Sequence, residues 1–275
     1  MIKRFVDCVK TFICRVLDDN LGLYAAQASF FVVFSMTPFI MILITLAKYV
    51  LPINQEQVIT QIYRHVPMEI ASFLSNLLIE VFDSSIGLIS VTAVSTLWLA
   101  SKGIMALYLG LNNVFKPEKR HGYIRTRIMS MGYTLLFILS MVLTIAVFGF
   151  GGYITERLSG TIIHPVITVL FKFRVFLFMA VLTLIFAGLY KFLPQINNSF
   201  RRQLPGAALA AMGWIGFSAI YSIYIERFSN YSYVYGSLAA IIFLMLWLYV
   251  CMCIFLYGAE FNKLRDEGIF SKHST

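Results

Sequence analysis

The chain has 275 residues, 59% of them hydrophobic and 13% charged, with a mean hydropathy of +0.80. A water-soluble domain carries about 25% charged residues, so composition excludes an ordinary soluble enzyme or binding module. The net charge of +9 would suit a nucleic-acid binder, and its placement along the chain has to decide whether it is one.

The first 20 residues pattern as an amphipathic helix. Phe5, Val9, Phe12, Ile13, Val16 and Leu17 recur at helical spacing, with Lys3, Arg4, Lys10 and Arg15 between them, as suits a headgroup region. Asp18, Asp19 and Asn20 offer caps for the next helix. Six long apolar stretches follow, at 28–50, 87–111, 128–152, 166–190, 205–226 and 237–259. A run of about 20 apolar residues satisfies its backbone across a bilayer only as a helix. The expected fold is therefore an all-α polytopic membrane bundle in one integral domain, 1–275. The first stretch starts far from Met1 and follows two aspartates, which suits an uncleaved insertion signal rather than a removed leader.

Between the first two stretches, residues 55–82 place Ile59, Ile62, Val66, Ile70, Phe73, Leu77 and Val81 on one face and Glu56, Arg64, Glu69 and Glu80 elsewhere. This reads as an external amphipathic element divided by Pro67 into two helices, either a gate over a cavity or a cover for the bundle. With the amino terminus inside, fifteen Lys and Arg fall on the cytoplasmic side, including Lys116, Lys119, Arg120, Arg125 and Arg127 and the 260–275 tail, against Arg64, Arg157 and Arg227 outside. That asymmetry places both termini in the cytoplasm. The positive charge is thus a topology signal with attraction to anionic lipid, and nucleic acid is not an expected partner. Cys8, Cys14, Cys251 and Cys253 read as structural thiols.

Ionisable groups inside spans are functional candidates by default. Lys102, beside Ser101, lies about 13 Å along the helix from the cytoplasmic end of the second span. It reads either as a ligand for an anionic group or partner of Glu260, or as a snorkelling lysine. Glu260 closes the sixth span at the level of Asn112, with Asn262 just beyond. At a helix C-terminus a carboxylate needs a compensating partner, and its role is either to lock helices or to couple ions. Pro38 is a kink candidate in the first span, and Gly103, Gly206, Gly236 and Gly258 are packing candidates. Trp98, Trp247 and Tyr235 read as interfacial anchors. Spans two and six share the Gly-to-Trp intervals Gly87–Trp98 and Gly236–Trp247, so the hairpins of spans one–two and five–six form a candidate parallel repeat. His65, His121, His164 and His273 are scattered, and no HExxH, GxSxG or phosphate-loop motif occurs. No metal, cofactor or catalytic centre is expected.

These residues resemble the YihY/BrkB family of bacterial membrane proteins, historically labelled ribonuclease BN. The resemblance runs through Asp18 and Ala25-Ala26-x-Ala28, Ser35-x-x-Pro38, Leu97-Trp98-x-x-Ser101-x-Gly103, Leu111-Asn112, Pro194, Pro205-Gly206-Ala207, Trp214, Tyr231, Tyr235-Gly236, Leu246-Trp247-Leu248-Tyr249 and Gly258-Ala259-Glu260-x-Asn262. Gln27 stands where the family pattern has a small or apolar residue. The resemblance implies a six-span inner-membrane protein with no established reaction, its ribonuclease label a misassignment. Family members are linked to serum resistance and envelope lipid movement. What it implies here is a transporter or flippase-like protein for a lipid or other amphiphile, with membrane lipids, anionic ones among them, as partners. The alternative is a scaffold of an envelope complex, with a homo-oligomer as a further arrangement.

Overall fold

The computed structural model describes residues 2–50, 55–65, 68–83, 86–117, 122–135, 174–194, 196, 199–227 and 237–269. Among them the chain is helical apart from short turns and connections, with no strand. In chain order the helices are α1 (Ile2–Asp18), α2 (Leu21–Val50), α3 (Gln55–His65), α4 (Met68–Asp83), α5 (Ile86–Phe115), α6 (123–135), α7 (Arg174–Phe192), α8 (Phe200–Arg227) and α9 (Ser237–Asp266). Most of the expected third span, the first part of the fourth, and Tyr235 and Gly236 lie outside the described residues.

Among the described residues, four helices hold stretches long and apolar enough to cross a bilayer: Leu21–Met41, Val94–Phe115, Phe200–Ile225 and Ile241–Asp266. A shorter apolar stretch, Phe176–Phe192, belongs to α7. Val94, Ile128, Phe176, Leu184, Ile220 and Ile242 all point outward. Such a surface would be unfavourable in water and matches hydrocarbon.

The helix ends differ from those read off hydropathy, for local reasons. Asn20 adopts a left-handed conformation (φ 52°), which stops α1. Its carbonyl then accepts the Leu23 N–H, so α2 starts at once, at Leu21 rather than at 28. A second left-handed residue, Lys116 (φ 46°), closes α5 while its N–H donates to the Asn112 carbonyl. α9 continues to Asp266 because Glu260, Asn262 and Leu264 are still buried. α3 stops at His65 and α4 restarts at Met68, where the helix break was expected.

Small residues set the packing. α2 and α5 run antiparallel, with Gly103 against Val32 and the Ala28 carbonyl, Gly110 against Tyr24, and Asn113 donating to the Asp19 carbonyl. α8 and α9 are likewise antiparallel: Gly206 meets Gly258, Trp247 donates to Ser218, and Tyr221 donates to the Phe243 carbonyl. Gly110 also touches Leu256, which joins the two pairs. The core between them holds Leu21, Ala25, Ala28, Leu111, Tyr190, Ala207, Ala211, Phe255, Leu256 and Ala259. α9 packs on both α2 and α5, whereas α8 packs on α7 and α9 and makes no comparable contact with α5. A symmetric repeat would need both contacts, so the shared intervals of spans two and six do not extend to equivalent packing.

Helix α1 docks on the end of α9. Phe12 meets Tyr257 edge-on at 6.0 Å, and Arg15 pairs with Glu267 at 2.6 Å. Val16 packs against the core, whereas Val6, Val9, Ile13 and Leu17 stay exposed, as they would in a headgroup layer.

Candidate functional site

The end of α9 carries two buried polar residues on different sides. On the α8 side, Asn262 is fully buried. Its Oδ1 accepts the Gly206 N–H at 2.8 Å, and its Nδ2 donates to the Gln203 carbonyl at 2.9 Å and to Gln203 Oε1 at 3.1 Å. The need for this clamp is visible in α8 itself. Pro205 lies inside that helix, which begins at Phe200 and not at Pro205 as hydropathy suggested. Proline has no N–H and disturbs the turn before it. Asn262 takes up polar groups of that turn, and Arg265 donates to the Arg202 carbonyl at 2.7 Å. Gly206 and Gly258 allow this approach: a Cβ on Gly206 would collide with the Gly258 carbonyl, and one on Gly258 with the Gly206 carbonyl and the Tyr190 hydroxyl. Tyr190 in turn donates to the Phe255 carbonyl.

On the side of α1, α2 and α5 lies Glu260. It has no exposed surface, and neither carboxyl oxygen has a hydrogen-bond partner. The charges acting on it are those of Asp19, Arg15, Glu267 and Lys116. Asn112 is 2% exposed, with both its amide nitrogen and its oxygen unpartnered. Tyr108 Oη, on the same helix, is also buried and unpartnered. Asp19 is 4% exposed; Lys116 contacts its Oδ1 at 3.0 Å, while Oδ2 has no partner. The hydrogen bond to Glu267 pushes the Arg15 guanidinium further up from its ordinary range, keeping that pair ionised.

Lys102 does not meet Glu260. Its ammonium lies over the Phe31 ring of α2 at 5.0 Å, near the Gly103–Val32 contact and well before the end of α5. A helix position specifies a level along the axis; the face it presents depends on packing, and here that face belongs to α2. Ser101 is fully buried and donates to the Trp98 carbonyl at 2.9 Å.

Arg127 was grouped with the loop cations on charge alone, yet its residue is 6% exposed. Its guanidinium stacks on Trp98 at 4.1 Å and donates through NH2 to the Trp98 carbonyl at 2.8 Å. Nε and NH1 have no partner. Arg127 and Lys102 therefore flank one turn of α5, and neither forms an ion pair with a carboxylate among the described residues.

Of the anchor candidates, Trp98 is half exposed. Trp247 instead packs edge-on to Trp214 at 6.1 Å and donates to Ser218 at 3.1 Å, so it works between helices. α2 is helical through Pro38. Gln27 faces outward. Asp19, Gln203 and Arg127 were not read from sequence as site residues. Asp19 reads as a cap and Gln203 is not singled out at all, and only their burial reveals them. Among the described residues no three His, Cys, Asp or Glu side chains gather as a metal site would need.

These features define a class: a multi-helix membrane protein with a dry core and a few buried polar groups at one end. Residues 12–273 match the family model described as virulence factor BrkB, and the chain belongs to that family. It is 30% identical over 244 residues to the ribonuclease-like protein YfkH of Bacillus subtilis, covering 87% of this chain and 88% of that one. It is 24% identical over 264 residues to a UPF0761 membrane protein of Vibrio vulnificus, covering 94% and 82%. No solved structure matches it.

Proposed function

We propose that this protein is a six-span transporter of the bacterial inner membrane, with both termini cytoplasmic, that moves a lipid or similar amphiphile between leaflets. The observation that carries this reading is Arg127, a buried guanidinium on Trp98 with two unpartnered nitrogens, with Lys102 one turn further along the same apolar helix. A buried charge without a counter-charge costs several kcal/mol, which the Trp98 carbonyl and ring offset only in part, and an anionic headgroup would relieve it. Guanidinium is well suited to phosphate because several planar donors meet it at once. The acyl chains would stay against the exposed apolar side chains of α5 and α6, Val94 and Ile128 among them.

The protein is read as having no catalytic centre and as binding no nucleic acid. The ribonuclease-like name of the Bacillus relative describes that protein and is not carried over in this reading. A scaffold role is the second reading, favoured by the exposed apolar row Val6, Val9, Ile13 and Leu17 on α1.

The test is leaflet exchange of headgroup-labelled lipids in proteoliposomes, with wild type, Arg127→Gln and Lys102→Ala at matched incorporation. Exchange that falls in both variants supports the reading. Absence of exchange for both anionic and zwitterionic lipids, with folded protein, removes it in favour of the scaffold. In that case crosslinking should recover a stoichiometric envelope partner.

A further inference from the structure

We propose that Glu260 and Asp19, with Asn112, form a binding site for one proton, which Glu260 holds in the resting protein and exchanges with water past Asp19 and Lys116. This inference is independent of what the protein carries and of the Arg127 turn.

The site is built from buried groups that have no other use. Glu260 has no exposed surface and no hydrogen bond at either oxygen. Among the described residues, the cations whose charge acts on Glu260, Arg15 and Lys116, are paired with other carboxylates. Lys116 holds Asp19 Oδ1 at 3.0 Å, Arg15 holds Glu267 at 2.6 Å, and Lys263 lies 3.6 Å from Glu267. An ionised Glu260 would stand in an apolar interior with no hydrogen bond and no direct ion pair, which costs more than burying the protonated acid. Asp19, itself 4% exposed, adds a like charge in the same field and favours the same outcome.

The charged groups that act on Glu260 come from several elements. α1 supplies Arg15, the turn after it Asp19, the turn that closes α5 Lys116, and the turn after α9 Glu267, which also lies 3.6 Å from Lys263. α8 meets α9 with the uncharged Gln203, Gly206 and Ala210. Asn112 is level with the acid. It follows Gly110, which touches Leu256 one turn before Glu260, and the α5 and α9 axes run the same way. At 1.5 Å rise per residue the two side chains start within about 3 Å of one height. Neither group is hydrogen-bonded in the structure; in the proposal the amide turns to accept from the acid or to donate to the carboxylate, so it serves both states.

The exit is also in place. Asp19 has one oxygen on Lys116 and the other buried and free, and the Lys116 side chain is 57% exposed. On release, the proton passes from the Glu260 carboxyl to water at that end, leaving a carboxylate. The new charge competes with Glu267 for Arg15, the ion pair that fastens α1 to α9. Proton loss therefore loosens α1, and proton uptake tightens it.

Infrared difference spectroscopy of the full chain in nanodiscs, stepped from about pH 5 to about pH 9, tests this. A protonated-carboxyl carbonyl band should disappear as pH rises and should be missing in Glu260→Gln. Asp19→Asn, which leaves Glu260 in place, should move the loss of that band to lower pH. As an independent readout, dicyclohexylcarbodiimide, which attacks protonated carboxyls in apolar surroundings, should label Glu260 at the acid end only. A band of wild-type size in Glu260→Gln, or a Glu260 ionised across the whole range, overturns the proposal. Loss of the band on adding sodium ion at constant pH would assign the site to that cation and overturn the proton.

Discussion

Asn262 and Glu260 are near neighbours on α9, both without exposed surface, yet they are treated in opposite ways. Asn262 has both amide atoms engaged with α8, and its partners are two backbone groups of a proline-disturbed turn and the Gln203 side-chain oxygen. Glu260 has nothing engaged. Burying a polar group without a partner is unfavourable, so a fold built for stability alone would not retain it. The contrast separates a structural side of the helix, where polarity closes a contact, from a side where polarity is held in reserve for something that comes and goes.

The largest effect should come from filling the structural side. Gly206→Ala and Gly258→Ala each place a methyl into a backbone oxygen, which no side-chain rotation can relieve. Overpacking of this kind costs about 1–3 kcal/mol or more, and α8 and α9 should separate. The expected outcome is loss of monodisperse protein after detergent extraction. Recovery of either variant at wild-type yield and melting temperature would break the contact as described.

Asn262→Ala should be next. It leaves the Gly206 N–H and the Gln203 carbonyl without their clamp, a loss of about 2–5 kcal/mol, read as a lower thermal midpoint. Glu260→Gln should stay within about 1 kcal/mol of wild type because no formed hydrogen bond is removed, while the infrared band and any pH-dependent activity disappear. If the two variants exchanged these behaviours, the division of the helix into two sides would fail.

Hydropathy alone was enough to recognise a helical membrane protein and to find the four described apolar helices, because lipid imposes length and composition directly. Asn112, Glu260 and Asn262 were legible as candidates, since polar residues at the ends of apolar runs stand out, but with the sixth span ending at 259 and a tail from 260 their burial was not. What pairs with what was not. Lys102 and Glu260 sit on different helices, and a sequence does not say which face each presents; packing sends Lys102 to Phe31. Arg127 counted as a loop cation because a charge count is blind to a chain that folds back onto Trp98. Pro205 was read as a helix start because nothing local shows that Asn262, on another helix, would make an interior proline tolerable.

The smallest effect, and the one that joins the two sides to α1, belongs to Arg15. Its pair with Glu267 is about one-third exposed, and such pairs contribute about 0.2–1 kcal/mol. Arg15→Ala should therefore leave the thermal midpoint nearly unchanged, particularly since Phe12 still packs on Tyr257. Hydrogen exchange within α1 should tell more. In the wild type, raising the pH strips Glu260 of its proton, draws Arg15 from Glu267 and speeds exchange in α1; lowering the pH restores protection. Arg15→Ala should exchange at one intermediate rate at every pH, because the cation for which the two carboxylates compete is gone. A pH step in α1 that survives in Arg15→Ala would mean that α1 responds to some other group, and the link from Glu260 to that helix would have to be abandoned.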